Sequence, residues 1–266
     1  AVALAEAERP GAVHLEFPED VAKDEVSEGV VGVSGLKEEF VDEDGLARAL
    51  ELVRAAKRPL LLIAAGGNRR EDVAEACREF VEVSGIYFVT SQMGKGVIDE
   101  RHPRYLGTTA LSGGDFMHCA VKAADLVIVV GHDLIEKPPF IGCEDGPKIV
   151  QMNYYKTERD WIYEPDVEVV GSLAGAIWAM AEELGEVQWD LRVFEKLHAY
   201  CMAEMAEGSD DERFPAIPQR IVADVRAAMP DDGIVCLDNG MYKLWFARHY
   251  KAYGRNTLLL DNALAT

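Results

Sequence analysis

The sequence predicts an α/β fold: a central domain with a parallel sheet of about six strands and helices on both faces, followed by the start of a second α/β domain. Short, continuous apolar runs end in glycine, as in residues 59–68 (PLLLIAAGGN) and 124–131 (ADLVIVVG). Runs of this length indicate strands that are buried on both faces. Segments with helical spacing of apolar residues separate them, and this alternation is typical of a parallel sheet.

The part of the chain before residue 59 carries weaker signals. A polar stretch with several glycines, residues 21–41, has no clear period and indicates a linker. Asp42 and Asp44 are suitable caps for the helix that follows. The predicted elements here are a helix end at 1–8, a strand at 11–17 that Pro18 stops, and a helix at 45–57.

The central part of the chain repeats the strand–helix unit, with a long connection over residues 97–111. Its predicted strands are 60–65, 86–90, 125–131, 148–152 and 167–170, and its predicted helices are 70–83, 115–123 and 173–184. After Gly185 the pattern changes. Helices at 189–206 and 215–228, a strand at 233–237 and a helix around Trp245 predict that a second sheet begins there.

Composition limits the classes of partner. The 266 residues include 47 acidic and 27 basic side chains, a formal charge of −20, which disfavours binding to nucleic acid. No signal peptide and no apolar run near 18 residues is present, so we expect no membrane span and a cytoplasmic location. Five scattered cysteines without CxxC spacing indicate free thiols. Both ends of the sequence lead us to expect that it is part of a longer chain.

Three loops follow predicted strands and are expected at one edge of the sheet. They contain Gly66, Gly67 and Asn68, residues 92–96 (QMGKG), and residues 131–136 (GHDLIE). Ligands bind at this edge in open parallel sheets, so the loops predict either a binding crevice or ordinary glycine turns. His132 and Asp133 are candidates for acid–base chemistry or for orienting their loop.

A fourth candidate site precedes the aromatic helix near Trp245. Residues 238–240 (DNG) end a predicted strand, and backbone N–H groups at such a helix start suit an anion such as a diphosphate, although the same pattern also forms plain turns. The histidines have no metal-binding spacing, and no serine lies in a GxSxG elbow, so we assign no metal ligand and no catalytic residue.

Five phrases in this order resemble the thiamin diphosphate enzymes of the acetolactate synthase type, and the likeness covers nearly the whole chain. They are residues 12–21 (AVHLEFPEDV), 64–67 (AAGG), 124–131 (ADLVIVVG), 165–171 (PDVEVVG) and 238–245 (DNGMYKLW).

The resemblance implies four regions. Residues 1–24 are the end of a pyrimidine-binding domain, 25–41 a linker, 42–186 the central domain and 187–266 the beginning of a diphosphate-binding domain. In this family a glutamate of the first domain promotes formation of the cofactor ylid, and a GDG…N segment holds Mg²⁺. Neither is present here, so the resemblance implies a catalytically incomplete segment whose Mg²⁺ ligands lie outside it.

The resemblance also implies binding residues. Asn239, Gly240, Met241 and Tyr242 match family positions that contact the cofactor diphosphate, and Ala265 matches a glycine of the same site. Met241 and Tyr242 replace a common glutamine–histidine pair, so the expected contacts are those of the backbone.

A flavin is the harder question, because biosynthetic members hold FAD against the central domain. The positions that match are Gly66, Gly67, Asn68, Thr90, Gln92, Leu106, Gly107, Gly131 and Asp133. The arginines of the family's flavin-binding GARFDDR phrase are absent, and residues 131–136 are more similar to the GYDPxE of flavin-free catabolic members. An acidic protein without those cations disfavours FAD.

The resemblance implies a transferase of branched-chain amino acid biosynthesis, expected as a homo-oligomer, either a dimer or a tetramer. It decarboxylates pyruvate, a 2-oxo acid, and joins the two-carbon unit to a second 2-oxo acid. Two alternatives stay open here. One is another enzyme of the family, such as a decarboxylase, glyoxylate carboligase or oxalyl-CoA-type enzyme; the other is a non-catalytic nucleotide-binding or structural α/β domain.

Overall fold

The structure is a computed structural model that describes residues 1–8, 10–25, 27, 29, 40–109, 115–133, 136, 146–157 and 163–260. The chain forms two compact units, residues 1–40 and 41–266.

The first unit contains helix α1 (Val2–Glu6) and one 3₁₀ turn (Val21–Lys23). The strand predicted over residues 11–17 is wrong: this stretch is described and carries no strand. Leu15 and Phe17 are 74% and 70% exposed, so the apolar residues that suggested a strand are not packed. A strand needs a neighbour for its N–H and C=O groups, and no described strand pairs with these residues.

The second unit alternates strands and helices. In chain order its elements are α2 (Glu43–Ala55), β1 (Pro59–Ile63), α3 (Ala65–Arg69), α4 (Glu71–Ser84), β2 (Tyr87–Thr90), β3 (Tyr105–Thr108), α5 (His118–Ala123), β4 (Leu126–Val130), β5 (Lys148–Asn153), β6 (Val167–Val170), α6 (Leu173–Leu184), α7 (Arg192–Ala206), α8 (Pro218–Ala228), β7 (Val235–Leu237), α9 (Met241–His249) and β8 (Leu258–Leu260).

Six of these strands form one sheet in the order β3-β2-β1-β4-β5-β6, and every neighbouring pair is parallel. This confirms the predicted α/β fold class. The chain builds outward from β1 to β3 and then returns to add β4 on the other side of β1. The carboxyl ends of β1 and β4 therefore meet at the topological switch point, where ligands bind in sheets of this type.

Alternate residues of the central strands enter two separate cores. Leu61 and Ile128 pack with helices α2, α4 and α6 on one face, whereas Leu62 and Val127 pack with α5 and α7 on the other. Both faces of β1 and β4 are buried along their whole length, which explains their uninterrupted apolar sequences. The prediction of helices on both faces is confirmed.

Two local predictions were wrong. The connection predicted over residues 97–111 contains strand β3, whose four residues include a glycine and are too short to show a period. The glycines after β1 do not form an open turn but lie inside helix α3. A Cβ on Gly67 would approach Ile63 Cγ2 to 2.7 Å, so glycine lets α3 pack directly on the strand before it.

The last strands form a second, two-stranded sheet. β7 and β8 pair in parallel, and α9 connects them, as the sequence predicted for the start of a second sheet. Helix α7 packs on β3 of the first sheet, so the predicted domain boundary at residue 187 precedes a helix that still covers this sheet. The division into residues 1–24, 25–41, 42–186 and 187–266, which the resemblance implied, stays a prediction.

Candidate functional site

The switch point is closed by direct backbone contact between two of the predicted site residues. Gly66 N donates a hydrogen bond to Gly131 O at 2.8 Å. A Cβ on Gly131 would lie only 2.5 Å from Gly66 Cα, and Gly131 has a φ of +66°. Glycine is therefore required at both positions for β1 and β4 to end side by side.

The backbone donors at the start of α3 are already used within the chain. Ala65 N donates to Glu136 Oε2 at 3.0 Å, Gly66 N to Gly131 O, and Gly67 N to Ala64 O at 2.9 Å. Gly66 and Gly67 match flavin-binding positions of the family, and a ligand phosphate at this helix start would need these three N–H groups. An internal carboxylate, that of Glu136, occupies the first of them.

Glu136 joins the three loops that the sequence placed at one edge. Its carboxylate receives hydrogen bonds from Ala65 N and from the Ser91 hydroxyl, and Gly94 N donates to Ser91 Oγ at 3.1 Å. The side chain is 7% exposed. Burial raises the pKa of Glu136, while the hydrogen bonds from Ser91 and Ala65 oppose that change. The three loops meet around this carboxylate.

The raised pKa of Glu136 predicts a pH-dependent difference between the wild type and Glu136→Gln. Below its ordinary value of 4.5 the group is protonated in both folded and unfolded states, and its contribution to stability is complete. This contribution is lost as pH rises through the folded-state pKa, because ionising the buried group is unfavourable. We expect the wild type to gain unfolding free energy relative to the glutamine variant as pH falls from neutral towards 4.5.

Denaturant unfolding at a series of pH values measures this difference. Glu51→Gln, which removes an exposed carboxylate on α2, is the control for net charge. A difference that stays constant with pH, or that shrinks as pH falls, contradicts the assignment.

Asp133 and its neighbour His132 lie just after the carboxyl end of β4. Tyr155 donates through its hydroxyl to Asp133 Oδ2 at 3.2 Å, and Asn153 Nδ2 donates to His132 O at 2.9 Å. The His132 ring packs 5.3 Å from the ring of Tyr163. These contacts favour the second of the two predicted roles, in which the residues orient their loop.

Asn68 also holds the loops together. Its side-chain amide donates to Met93 O at 2.6 Å and to Lys95 O at 2.9 Å, while its backbone carbonyl accepts from Arg255 Nη2 at 3.2 Å. Asn68 thus links α3, the loop after β2 and the segment that leads into β8.

Lys95, the cation of the QMGKG loop, is buried and pairs with groups inside the protein. Its side chain is 1% exposed, and its Nζ lies 2.8 Å from Glu100 Oε2 and 3.1 Å from Thr108 Oγ1. Burial lowers the pKa of Lys95, and the negative charge of Glu100 opposes this. Glu100 Oε2 also accepts from Ala252 N at 2.8 Å, so the ion pair attaches the segment before β8 to the first sheet.

A cleft of about 600 Å³ lies between α3 and the β7–β8 pair. Its lining residues are Ala65, Asn68, Arg69, Met93, Cys236, Leu237, Asn256, Leu258, Leu259 and Leu260. Asn68 was predicted as a site residue, and Met93 lies in the predicted QMGKG loop. The lining residues from Cys236 onward were missed, because they come from a distant segment of the chain and share no motif with these loops. The cleft lies beside Leu237, which leads directly into the second group of predicted site residues.

The second group of predicted site residues, 239–242, lies at the start of helix α9. Gly240 is extended, with a φ of −177°, and Met241 is the first helical residue. Met241 and Tyr242 are 75% and 45% exposed. The first N–H groups of a helix have no partner inside the helix and carry its positive dipole end. An exposed helix start after a parallel strand fits a diphosphate group.

Three further findings bear on the predictions. Ala265, the remaining predicted contact, lies outside the described residues. Among the residues that the structure describes, no group of three or more His, Cys, Asp or Glu side chains could hold a metal ion. No helix in the described part of the chain has both the length and the apolar character needed to cross a bilayer.

Comparisons with known proteins find similarity to thiamine pyrophosphate enzymes. Residues 46–180 match the family model described as thiamine pyrophosphate enzyme, central domain. The chain is 25% identical over 269 residues to the acetolactate synthase of Bacillus subtilis (strain 168), covering 99% of this chain and 47% of that protein. It is 24% identical over 292 residues to a probable acetolactate synthase large subunit of Methanococcus aeolicus, covering 99% and 48%.

A relative with a different name is 33% identical, but over 146 residues only. It is the 3D-(3,5/4)-trihydroxycyclohexane-1,2-dione hydrolase of Geobacillus thermodenitrificans (strain NG80-2), with 52% of this chain and 21% of that protein covered. The chain spans about half the length of the first two relatives.

Proposed function

Because this chain belongs to the thiamine pyrophosphate enzymes and contains their central domain at residues 46–180, we propose that it is part of an acetolactate synthase-like enzyme. The enzyme decarboxylates pyruvate and joins the two-carbon unit to a second 2-oxo acid. Thiamin diphosphate, the same compound as thiamine pyrophosphate, supplies the carbanion chemistry when bound. The observation that carries the proposal is the match to an acetolactate synthase along 99% of the chain.

The role of this chain in the reaction is to bind the cofactor diphosphate and to position it. Backbone N–H groups of Met241 and Tyr242, with Asn239 and Gly240 before them, would hold the diphosphate oxygens at the start of α9. Ala265 belongs to the same proposed site. The Lys95–Glu100 pair fixes the segment before β8 to the first sheet, and this holds the β7–α9–β8 unit in place.

The remaining parts of the proposal come from the family resemblance. Mg²⁺ would be held by residues beyond this segment. The enzyme would work as a dimer or tetramer in the cytoplasm, with a partner subunit completing the cofactor site.

We further propose that the central domain does not bind FAD tightly. The three amides at the start of α3 donate to acceptors within the chain, and Glu136 places a carboxylate at the first of them. A flavin diphosphate at Gly66–Asn68 and Gly131 would have to displace those bonds beside an acidic side chain.

Replacing Met241 by proline tests the diphosphate contact. Proline is tolerated at the first helical position and requires an extended residue before it, which Gly240 already is. The change removes one N–H donor while leaving α9 intact. We expect the Kd for thiamin diphosphate to rise about 10- to 100-fold, the usual effect of losing a hydrogen bond to a charged group.

Met241→Ala is the matched control, because it removes the same side chain and keeps the N–H. We expect its Kd to stay close to that of the wild type. Equal affinities for the proline and alanine variants in the assembled full-length protein would remove the backbone of Met241 from the site.

A second candidate function is another carboligase, decarboxylase or hydrolase of the same family, which the similarity to the dione hydrolase favours. Incubating the assembled full-length protein with pyruvate, thiamin diphosphate and Mg²⁺ distinguishes the two. Cofactor-dependent release of CO₂ with formation of acetolactate is the expected result. Conversion of other 2-oxo acids or of a cyclic dione, with pyruvate untouched, supports the second candidate. Absence of cofactor binding favours a structural domain.

A further inference from the structure

Helix α9 is attached at its C-terminal end to the elements of the first sheet. Its last two residues are Arg248 and His249, whereas its start carries the proposed diphosphate contacts. His249 Nδ1 lies 2.9 Å from Met205 O at the end of α7. The guanidinium of Arg248 forms an ion pair with Asp115, which lies between β3 and α5. Two polar contacts therefore reach from the end of α9 to the first sheet and its helices.

The acidic partner of this ion pair is a group of the protein interior. The Asp115 side chain is 0% exposed, and its other carboxylate oxygen accepts from Met117 N at 3.2 Å. The guanidinium carbon of Arg248 lies 5.8 Å from the centre of the Phe116 ring. A buried carboxylate is costly without its cation, so the pair determines where the end of α9 lies.

Apolar packing ties α9 mainly to its own small sheet. Phe246 is buried in a cluster with Val222 of α8 and Leu258 of β8, and α8 is the main neighbour of α9. The bond from Ala252 N to Glu100 attaches the segment after the helix to the first sheet, but not the helix itself. The orientation of α9 against the first sheet therefore depends largely on the contacts at its C-terminal end.

We propose that Asp115 and Arg248 are positioning residues for the diphosphate contacts at the start of α9. A helix of nine residues is a stiff rod about 13.5 Å long, so a shift at one end moves the other. The strength of a hydrogen bond falls steeply as its angle worsens. By fixing the end of α9, the ion pair keeps the N–H groups of Met241 and Tyr242 directed at one place. This role rests on the proposed function, whereas the attachment of α9 does not.

Asp115→Asn is the variant that tests the pair with the least damage to the fold. It removes the charge but keeps the shape and an oxygen that can accept from Met117 N. Arg248, which then lacks its anion, is 22% exposed, so no fully buried charge is left alone. We expect the Kd for thiamin diphosphate of the assembled full-length protein to rise about 5-fold, because charge-assisted hydrogen bonds are roughly twice as strong as neutral ones.

Asp231→Asn is the matched control. Asp231 lies between α8 and β7 and accepts from Arg101, in the connection between β2 and β3, at 2.9 Å. This ion pair also links the second sheet to the first, but neither residue lies on α9. We expect its Kd for thiamin diphosphate to equal that of the wild type. A rise as large as that of Asp115→Asn would show that any link between the sheets has this effect, and would refute a specific role of Asp115.

A double variant distinguishes positioning from general stability. If the pair acts through the start of α9, Asp115→Asn should raise the Kd less in a Met241→Pro background, where one of the positioned N–H groups is already missing. The same fold-change in both backgrounds would contradict the proposal. Arg248→Lys provides a second test if Asp115→Asn folds poorly, since it keeps the cation but loses the paired donors of the guanidinium. We expect it to raise the Kd, and again less in the Met241→Pro background.

Hydrogen exchange without any ligand separates this inference from the proposed function. We expect the backbone amides of α9 to exchange about 5-fold faster in Asp115→Asn than in the wild type or in Asp231→Asn. Unchanged exchange would show that the pair does not hold the helix. Faster exchange in a protein whose wild type binds no thiamin diphosphate would refute the proposed function, and the positioning role with it, but not the attachment. Faster exchange with an unchanged Kd would refute the positioning role alone.

Discussion

Gly131→Ala is expected to lower the free energy of unfolding by at least about 4 kcal/mol, the range of the most severe single substitutions. Two costs combine. The residue has a φ of +66°, which alanine adopts at a cost of roughly 1–2 kcal/mol. Its Cβ would also lie 2.5 Å from Gly66 Cα, and both partners are backbone, so neither moves without separating β1 from β4.

Gly85→Ala separates these two costs. Gly85 ends α4 with a φ of +69°, and the nearest atom to its added Cβ is a side-chain nitrogen of Arg104 at 3.7 Å, an ordinary contact. We expect this control to lose only roughly 1–2 kcal/mol, measured by denaturant unfolding followed by circular dichroism. A Gly131→Ala protein no less stable than Gly85→Ala would show that the switch-point contact is not as close as described.

The second large effect is expected for Lys95→Met. The substitution removes the ammonium group and leaves the Glu100 carboxylate, whose side chain is 0% exposed, with its bond from Ala252 N. Removing one partner of a buried ion pair costs about 3–5 kcal/mol, because the other charge stays buried and uncompensated. Because Glu100 also holds the segment before β8, we expect the β7–β8 pair to become more susceptible to proteolysis.

The double variant Lys95→Met/Glu100→Gln is expected to recover part of the lost stability, since no uncompensated charge is left. Arg192→Ala is the control: it breaks the Arg192–Asp190 pair, in which the arginine side chain is 81% exposed, and should leave the unfolding midpoint unchanged. If the single and double variants are equally unstable, packing and not charge is the important property of Lys95.

The fold was predictable because the strands of a doubly covered sheet are continuous apolar runs. The sequence of β4 (LVIVV) has no polar residue to obscure it, and Ser172 begins α6 as a cap that accepts from Gly175 N. Strand β3 (YLGT) was missed because four residues with a glycine give no such signal. The strand expected at 11–17 failed for the opposite reason, since apolar composition alone does not supply a pairing partner.

For the candidate site, the sequence predicted only that loops after parallel strands lie at one edge of the sheet. Parallel strands place the loops of Gly66, Gly94 and Gly131 at one edge, and the structure brings them together. The contact between Gly66 and Gly131 needs the pairing of β1 with β4, which the sequence does not state. The role of Glu136 was also hidden, because a carboxylate that satisfies Ala65 N and one that faces solvent look alike in a sequence.

Titration of one preparation of the assembled full-length protein with thiamin diphosphate and, in parallel, with FAD tests the central claim most directly. Tryptophan fluorescence is the readout. The account predicts saturable binding of thiamin diphosphate that Met241→Pro weakens and Met241→Ala does not, with no saturation by FAD at micromolar concentrations. Stoichiometric FAD binding together with no response to thiamin diphosphate would contradict it.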